Sequence, residues 1–245
     1  MIKWTWAFVD RPQPDFDASA RFWTAVTGTT LSARRGDRGE FATLLPGPGQ
    51  GDACVKLQGV FSGGGAHLDL EFDDFEAAVT RVVERGGTIV ARDEAWAYAK
   101  SPSGYGLCVA AWSGATRAPL PFVAPDGSRS RLDQVCIDVA PSAHDTEVAF
   151  WSGVSGLEVV PSSRFPEFSW LRSPEGGSPV VVLFQRLGEE RATAGHLDVS
   201  CSDPDATRVW HESSGAEFVA ARGDWLVMRD PVGWEYCLIR NDPDA

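Results

Sequence analysis

Polar and apolar residues alternate strictly in His67-Leu68-Asp69-Leu70-Glu71-Phe72. Successive side chains of an extended strand point to opposite faces, so this spacing predicts a strand whose Leu68, Leu70 and Phe72 enter a core while His67 and Asp69 turn away from it. The pattern returns in His196-Leu197-Asp198-Val199-Ser200-Cys201, with His196, Asp198 and Ser200 on one side. Elsewhere the apolar spacing is three and four. Phe75, Ala78, Val79, Val82 and Val83 predict a helix begun by Asp73 or Asp74 and ended by Gly86 and Gly87. Its counterpart opens with Asp203 as N-cap and Pro204 at the first helical position, and stops at Gly215. Two earlier helices, about 16–27 and 144–155, carry the pairs Phe22-Trp23 and Phe150-Trp151 and stop at Gly28 and Gly156. The segments 4–9, 40–45, 53–58, 66–72 and 105–112 are short, rich in β-branched or aromatic residues and bounded by Gly or Pro, as strands are.

These elements occur twice. FWTAVTG at 22–28 returns as FWSGVSG at 150–156, AHLDL at 66–70 returns as GHLDV at 195–199, and SPSGYGLCV at 101–109 parallels DPVGWEYCL at 230–238. A displacement this steady across three patches predicts a tandem duplication of compact modules, 1–114 and 131–245. The intervening 115–130, rich in Pro, Gly and Ser, reads as an exposed linker. Within each module the order is strand, helix, three strands, taken twice, which predicts an α+β fold with helices on one face of a sheet.

Composition narrows the partners. With 43% hydrophobic residues the 245-residue chain can bury two cores, and a net charge of −12 repels nucleic acid and anionic membrane surfaces. No leader-like start or spanning apolar run is present in the given sequence, so a cytoplasmic protein is expected. Five Cys with no C-x-x-C pair indicate neither a disulfide framework nor a compact zinc knuckle. The Gly-rich runs at 47–51 and 62–66 open no helix and precede no Lys-Ser/Thr, so they read as turns.

Three motifs together carry a resemblance: the helix F-W-x-x-x-x-G, the strand opening with His, and the turn Asp230-Pro231-Val232-Gly233 into a last strand ending in Cys-Leu. Both modules resemble the vicinal oxygen chelate superfamily of glyoxalases, bleomycin-resistance proteins and extradiol dioxygenases, and its glyoxalase-like branch in particular. The resemblance implies that each module is a pair of βαβββ units forming a curved sheet with helices on the outer face. It also implies metal-ligand positions on the first strand, the His-bearing strand and the last strand, filled in metal-dependent relatives by His, Gln or Glu. Here those positions fall on Phe8, His67 and Cys108 in one module and on Cys136, His196 and Cys237 in the other.

Phe8 and Cys108 leave His67 with too few hard ligands for Mg, Mn or Fe. In the second module Cys136, His196 and Cys237 make a conceivable zinc set, set against the preferred reading of both Cys as small buried hydrophobes. Glu235 shares a face with Cys237 but stands a two-residue step away, roughly 7 Å along a strand. His67 and His196, each two residues before Asp69 or Asp198, are either general bases or structural His-Asp pairs, and the structural reading is favoured. Trp4, Trp6 and Phe8 form a stripe that serves either as core or as a platform for a planar ligand. Gln134 and Asp138, sharing a face with Cys136, complete the ligand-binding candidates with His67, Asp69, His196 and Asp198. His144 and His211 are expected at the surface, and Trp23, Trp151, Trp96 and Trp225 in the core.

The expected function is binding of a small organic molecule without a cofactor, as in sequestration of a toxic or antibiotic compound, by a monomer or homodimer. The alternative is a metal-dependent lyase or dioxygenase acting through the second module, with His196, Asp198 and Glu235 as catalytic candidates.

Overall fold

The computed structural model describes residues 1–173 and 177–244. Four βαβββ units follow one another. The first is β1 (Ile2–Pro12), α1 (Phe16–Thr27), β2 (Thr30–Leu31), β3 (Phe41–Leu45) and β4 (Val55–Val60). The second is β5 (Gly65–Phe72), α2 (Phe75–Glu84), β6 (Thr88–Arg92), β7 (Trp96–Lys100) and β8 (Gly106–Ala111). After a two-residue strand, β9 (Phe122–Val123), the third is β10 (Arg129–Val139), α3 (His144–Ser155), β11 (Val159–Pro161), β12 (Phe168–Leu171) and β13 (Val181–Arg186). The fourth is β14 (Ala194–Cys201), α4 (Pro204–Ser213), β15 (Glu217–Arg222), β16 (Trp225–Arg229) and β17 (Glu235–Arg240). Strand order is β2-β3-β4-β1-β5-β8-β7-β6 in one sheet and β11-β12-β13-β10-β14-β17-β16-β15 in the other. The fold is thus α+β with two sheets, each built from two consecutive βαβββ units.

The helices begin where short side chains satisfy free backbone N–H groups. Asp74 accepts from Ala77 N, and Asp203 accepts from Asp205 N and Ala206 N ahead of Pro204. Packing divides the chain into two compact units. One comprises Met1–Trp6, His67–Thr116 and Val135–Gly195, the other Ala7–Ala66, Arg117–Gln134 and His196–Ala245.

In the first unit α2 packs on α3. A Cβ at Gly87 would lie 2.8 Å from the Phe150 ring, so only glycine admits that ring. Glu147 is fully buried, its two oxygens accepting from Trp151 Nε1 (2.9 Å) and Ser103 N (3.2 Å). That carboxylate ties α3 to the turn before β8.

The second unit anchors its corresponding turn differently. Arg11 Nε donates to Asp230 Oδ2 at 2.6 Å, with both side chains within 1% of complete burial. Arg11 Nη1 also donates to the carbonyls of Asp10 and Gly65, and Asp230 Oδ1 accepts from Val232 N and Trp234 N. Beside this pair an aromatic core gathers Phe22, Trp23, Tyr236 and His211, with ring centroids 5.1–6.0 Å apart.

Three expectations are corrected here. His211 is fully buried, because Pro204, Thr207 and His211 form the inward stripe of α4. His144 is half-buried, with Nδ1 against Asp145 Oδ1 at 3.1 Å. Trp96 is 43% exposed, since it opens β7 beside the edge strand β6. Trp23 and Trp151 are fully buried, as expected. The 115–130 segment is more than a spacer: Ala124 is buried, β9 pairs with β10, and Phe122 occupies the space above Gly28, whose φ of +64° closes α1.

Removing one partner of a buried ion pair leaves the other charge stranded, so Arg11→Met should cost about 3–5 kcal/mol in urea unfolding. The double variant R11M/D230N should recover most of that loss, because Asn keeps the turn acceptor without the charge. Full additivity of the two losses would contradict the pairing.

Burial pushes the His211 pKa down to about 3. The unfolded chain therefore takes up a proton near pH 6.5 that the native protein refuses, and stability is lost as pH falls from there toward 3, by about 1.4 kcal/mol per unit. Asp133, pushed up to about 6 chiefly by burial, acts in the opposite sense: its contribution is present at acid pH and lost as pH rises through 6. Comparing H211F with the wild-type chain isolates the histidine. Unfolding free energies should fall less steeply between pH 6.5 and 4.5 in the variant, and parallel curves would contradict a neutral buried His211.

Candidate functional site

Alternation along β5 and β14 works as the sequence requires. Leu68, Leu70 and Leu197 are within 1% of complete burial, whereas the side chains of His67 and His196 keep 16% and 23% exposure. Parallel pairing then fixes what stands beside each acid: Asp69 lies in register with Cys108 on β8, and Asp198 with Cys237 on β17. Each His-Asp strand therefore meets a thiol at the same point of the ladder.

In the second unit His196 Nε2 lies 3.4 Å from Asp198 Oδ1, and the Asp198 side chain is 4% exposed. Burial first, and the adjacent Asp198 charge second, push the Cys237 thiol up to about 11, against a smaller opposing effect of its hydrogen bond with His196. At neutral pH that thiol keeps its proton. Asp198 Oδ1 is buried and makes no hydrogen bond. Phe8, 4% exposed, lies in this unit beneath the Lys56 ammonium, 5.0 Å from the ring centroid.

The first unit holds the parallel pair, His67 Nε2 and Asp69 Oδ1 at 3.7 Å. Glu71, next on the same face, is buried and accepts from Trp6 Nε1 (2.7 Å), Ser113 N (2.9 Å) and Ser113 Oγ (2.8 Å). Trp4 and Trp6 are 1% and 9% exposed. Their rings are packed, and Trp6 is held by Glu71.

On β10, Gln134, Cys136 and Asp138 are all buried, and Asp138 Oδ2 accepts from Arg191 Nη2 at 2.9 Å. Cys136 Sγ lies 3.9 Å from Asp138 Oδ1. His196 and Asp198, within the second unit, are an imidazole and a carboxylate of the kinds that ligate metal ions. Glu235 stands apart from this chemistry: it is exposed and bound to Arg229 at 2.9 Å. Sequence reasoning passed over Glu71, although it continues the His67-Asp69 alternation, and Arg191, which sits in a loop without periodic signal.

The sequence model of the Glyoxalase-like domain family matches residues 6–110 and 134–239. No curated protein matches the chain. Among solved structures, the Mn(II)-bound glyoxalase from Novosphingobium aromaticivorans is similar over 100% of this chain and 85% of that one, at 15% identity and a TM-score of 0.63. The 2,2',3-trihydroxybiphenyl 1,2-dioxygenase of Sphingomonas wittichii strain RW1 is similar over 98% and 91%, at 14% identity and 0.65. The 2,3-dioxygenase LapB of Pseudomonas sp. KL28 is similar over the same shares, at 14% and 0.64.

Burial orders the thiols. Cys54 and Cys201 are pushed up to about 12, Cys237 to about 11, and Cys136 is fully buried, whereas Cys108 is partly exposed. Titration of the native protein with a chromogenic disulfide at pH 8 should release one thiol equivalent rapidly, and C108S should abolish it. Rapid reaction of a second thiol in C108S would show that the His196 cluster is more open or more ionised than described.

Proposed function

The chain belongs to the glyoxalase-like family of the vicinal oxygen chelate superfamily, with one family segment in each half, and from that premise we propose that it binds a small organic molecule at the His196 cluster without a metal ion. The observation that carries this reading is the thiol at the last-strand position. Hard divalent ions such as Mn(II) take carboxylate, carbonyl and imidazole ligands. Cys237 supplies a neutral thiol, held near 11 by burial and by Asp198. The surrounding set offers one imidazole and one carboxylate, a poor fit to a hard ion. The first unit repeats the substitution with Cys108 beside Asp69.

What remains is a site suited to polar recognition. Asp198 holds a buried oxygen that makes no hydrogen bond, and a partly exposed imidazole stands next to it. A ligand hydroxyl or amide N–H would satisfy Asp198 Oδ1, and His196 would orient the ligand through a ring nitrogen. Such a protein sequesters its ligand, a toxic or antibiotic compound by the family's precedent, and no bond is made or broken. No helix among the described residues is long and apolar enough to cross a membrane.

One observation favours the alternative, a metal-dependent lyase or dioxygenase. His196 and Asp198, 3.4 Å apart, are an imidazole and a carboxylate that could ligate an ion such as zinc. In that reading His196 and Asp198 would hold the ion, which would supply Lewis acidity to a bound oxygen. Glu235, committed to Arg229, would remain outside.

Elemental analysis of protein purified without chelator separates the two readings. Substoichiometric transition metal is expected, together with a melting temperature raised by a bound compound from a small-molecule panel in the wild-type chain but not in H196A. One equivalent of zinc or manganese, lost in H196A, would overturn the metal-free reading and establish the alternative.

A further inference from the structure

β15 is the terminal strand of its sheet and pairs with β16 on one side. Its Ala220 is half-buried and its other five residues are exposed. They include Phe218, 41% exposed with the Arg208 guanidinium 5.1 Å from its ring centroid, and Val219, 38% exposed. An edge of this kind presents free N–H and C=O groups to any strand that matches it. Which strand matches is decided by an irregularity: the β15–β16 register shifts between Phe218 and Ala220, so β15 carries one extra residue there.

That extra residue changes which side chains share a face. Glu217 stands opposite Arg229 and Arg222 opposite Trp225, four residues apart on β16, and Phe218 and Ala221 stand opposite Met228 and Leu226, two apart. β16 itself pairs with β17 without a shift. Opposite residues of an antiparallel pair lie on the same face, and faces alternate with period two. Glu217 and Arg222 therefore share one face and Phe218 and Ala221 the other, although each pair is an odd number of residues apart. A regular strand would separate them.

Hydrogen bonding follows from the turn. Arg222 and Trp225 flank the two-residue turn Gly223-Asp224, so they form a hydrogen-bonded pair. Bonded and non-bonded pairs alternate along β16, which leaves Ala221 and Phe218 with N–H and C=O turned to the open edge. Charge agrees with this phase. Arg222 is exposed and makes no ion pair among the described residues, and Glu217, its side chain 73% exposed, reaches only to Arg229 at 3.6 Å.

We propose that β15 is the docking surface for a second copy of this chain, the two β15 strands pairing antiparallel about a two-fold axis. Phe218 of each copy then exchanges main-chain hydrogen bonds with Ala221 of the other, and Glu217 of each faces Arg222 of the other. An interface on a two-fold axis must complement itself, and face, hydrogen-bond phase and charge all do so in this one register. The edge strand β6 has the same shift, between Ile89 and Ala91, but places Thr88 and Asp93 where β15 has Glu217 and Arg222. No opposite charges would meet there.

Sedimentation velocity of the full chain at low ionic strength tests this, and should show a monomer–dimer equilibrium that moves toward dimer with concentration. E217R and R222E each set like charges together at both symmetric contacts and should weaken self-association about 10-fold. The double reversal E217R/R222E restores opposite charges and should recover the wild-type dimer. A221P, which removes the outward N–H, should abolish it, and V90K on β6 should leave it unchanged. All these positions are exposed, and an unaltered circular dichroism spectrum checks that each variant is folded. A monomer at every concentration, a dimer indifferent to the single reversals, a double reversal no better than its parents, or a dimer lost in V90K would overturn the proposal. Ligand binding in H196A and metal content bear on the His196 site alone.

Discussion

A strand can give only every second residue to a core, and this constraint organises both sites of the protein. On β14 it sends Leu197 and Val199 to one side and His196 and Asp198 to the other, so the same eight residues give one face to the apolar core and the other to a polar cluster. β5 obeys the same rule with Leu68 and Leu70 against His67 and Asp69. Parallel pairing adds the second coordinate, because β8 and β17 bring Cys108 and Cys237 beside the acids in one register. Had glutamate stood at either position, the same backbone would present a second carboxylate to the imidazole. The fold supplies the place, and single side chains decide the chemistry.

Duplication preserved the backbone more faithfully than its polar anchors. The turn before β8 is tied to α3 by the buried Glu147, whereas the turn before β17 is held by the buried Arg11–Asp230 pair. Both devices satisfy backbone N–H groups of a tight turn with a carboxylate oxygen, at Ser103 in one and at Val232 and Trp234 in the other. Buried charge of this kind adds little net stability over a hydrophobic replacement, yet tolerates the loss of one partner badly. Each turn thereby fixes the start of the strand that carries the thiol.

The helices were legible because their signals are local. Asp74 and Asp203 cap, Pro204 begins, and Gly28 and Gly156 end helices within a residue or two of where spacing placed them. The His-Asp strands were legible for the same reason, since alternation needs six residues and no partner. His211 was misread because residue type was weighed above position: 204, 207 and 211 already spell an inward stripe, but two of its members are polar. Trp96 failed in the opposite way, being apolar in a strand beside a sheet edge that offers little to cover it. The Arg11–Asp230 pair joins residues 219 positions apart, and nothing in either neighbourhood announces the other. The packing of Phe122 over Gly28 was invisible too, because Phe122 and its neighbouring prolines read as linker until β9 paired with β10.

The imidazole of His196 acts either as a ligand-binding group or as a metal ligand. Paramagnetic relaxation reports this directly: Mn(II) bound to that ring would broaden its carbon-bound proton resonances beyond detection, while unbound Mn(II) would leave them sharp. The thiol at Cys237 predicts that equimolar Mn(II) leaves the His196 signals unchanged. Their selective disappearance, with the His144 and His211 signals intact, would contradict the central claim.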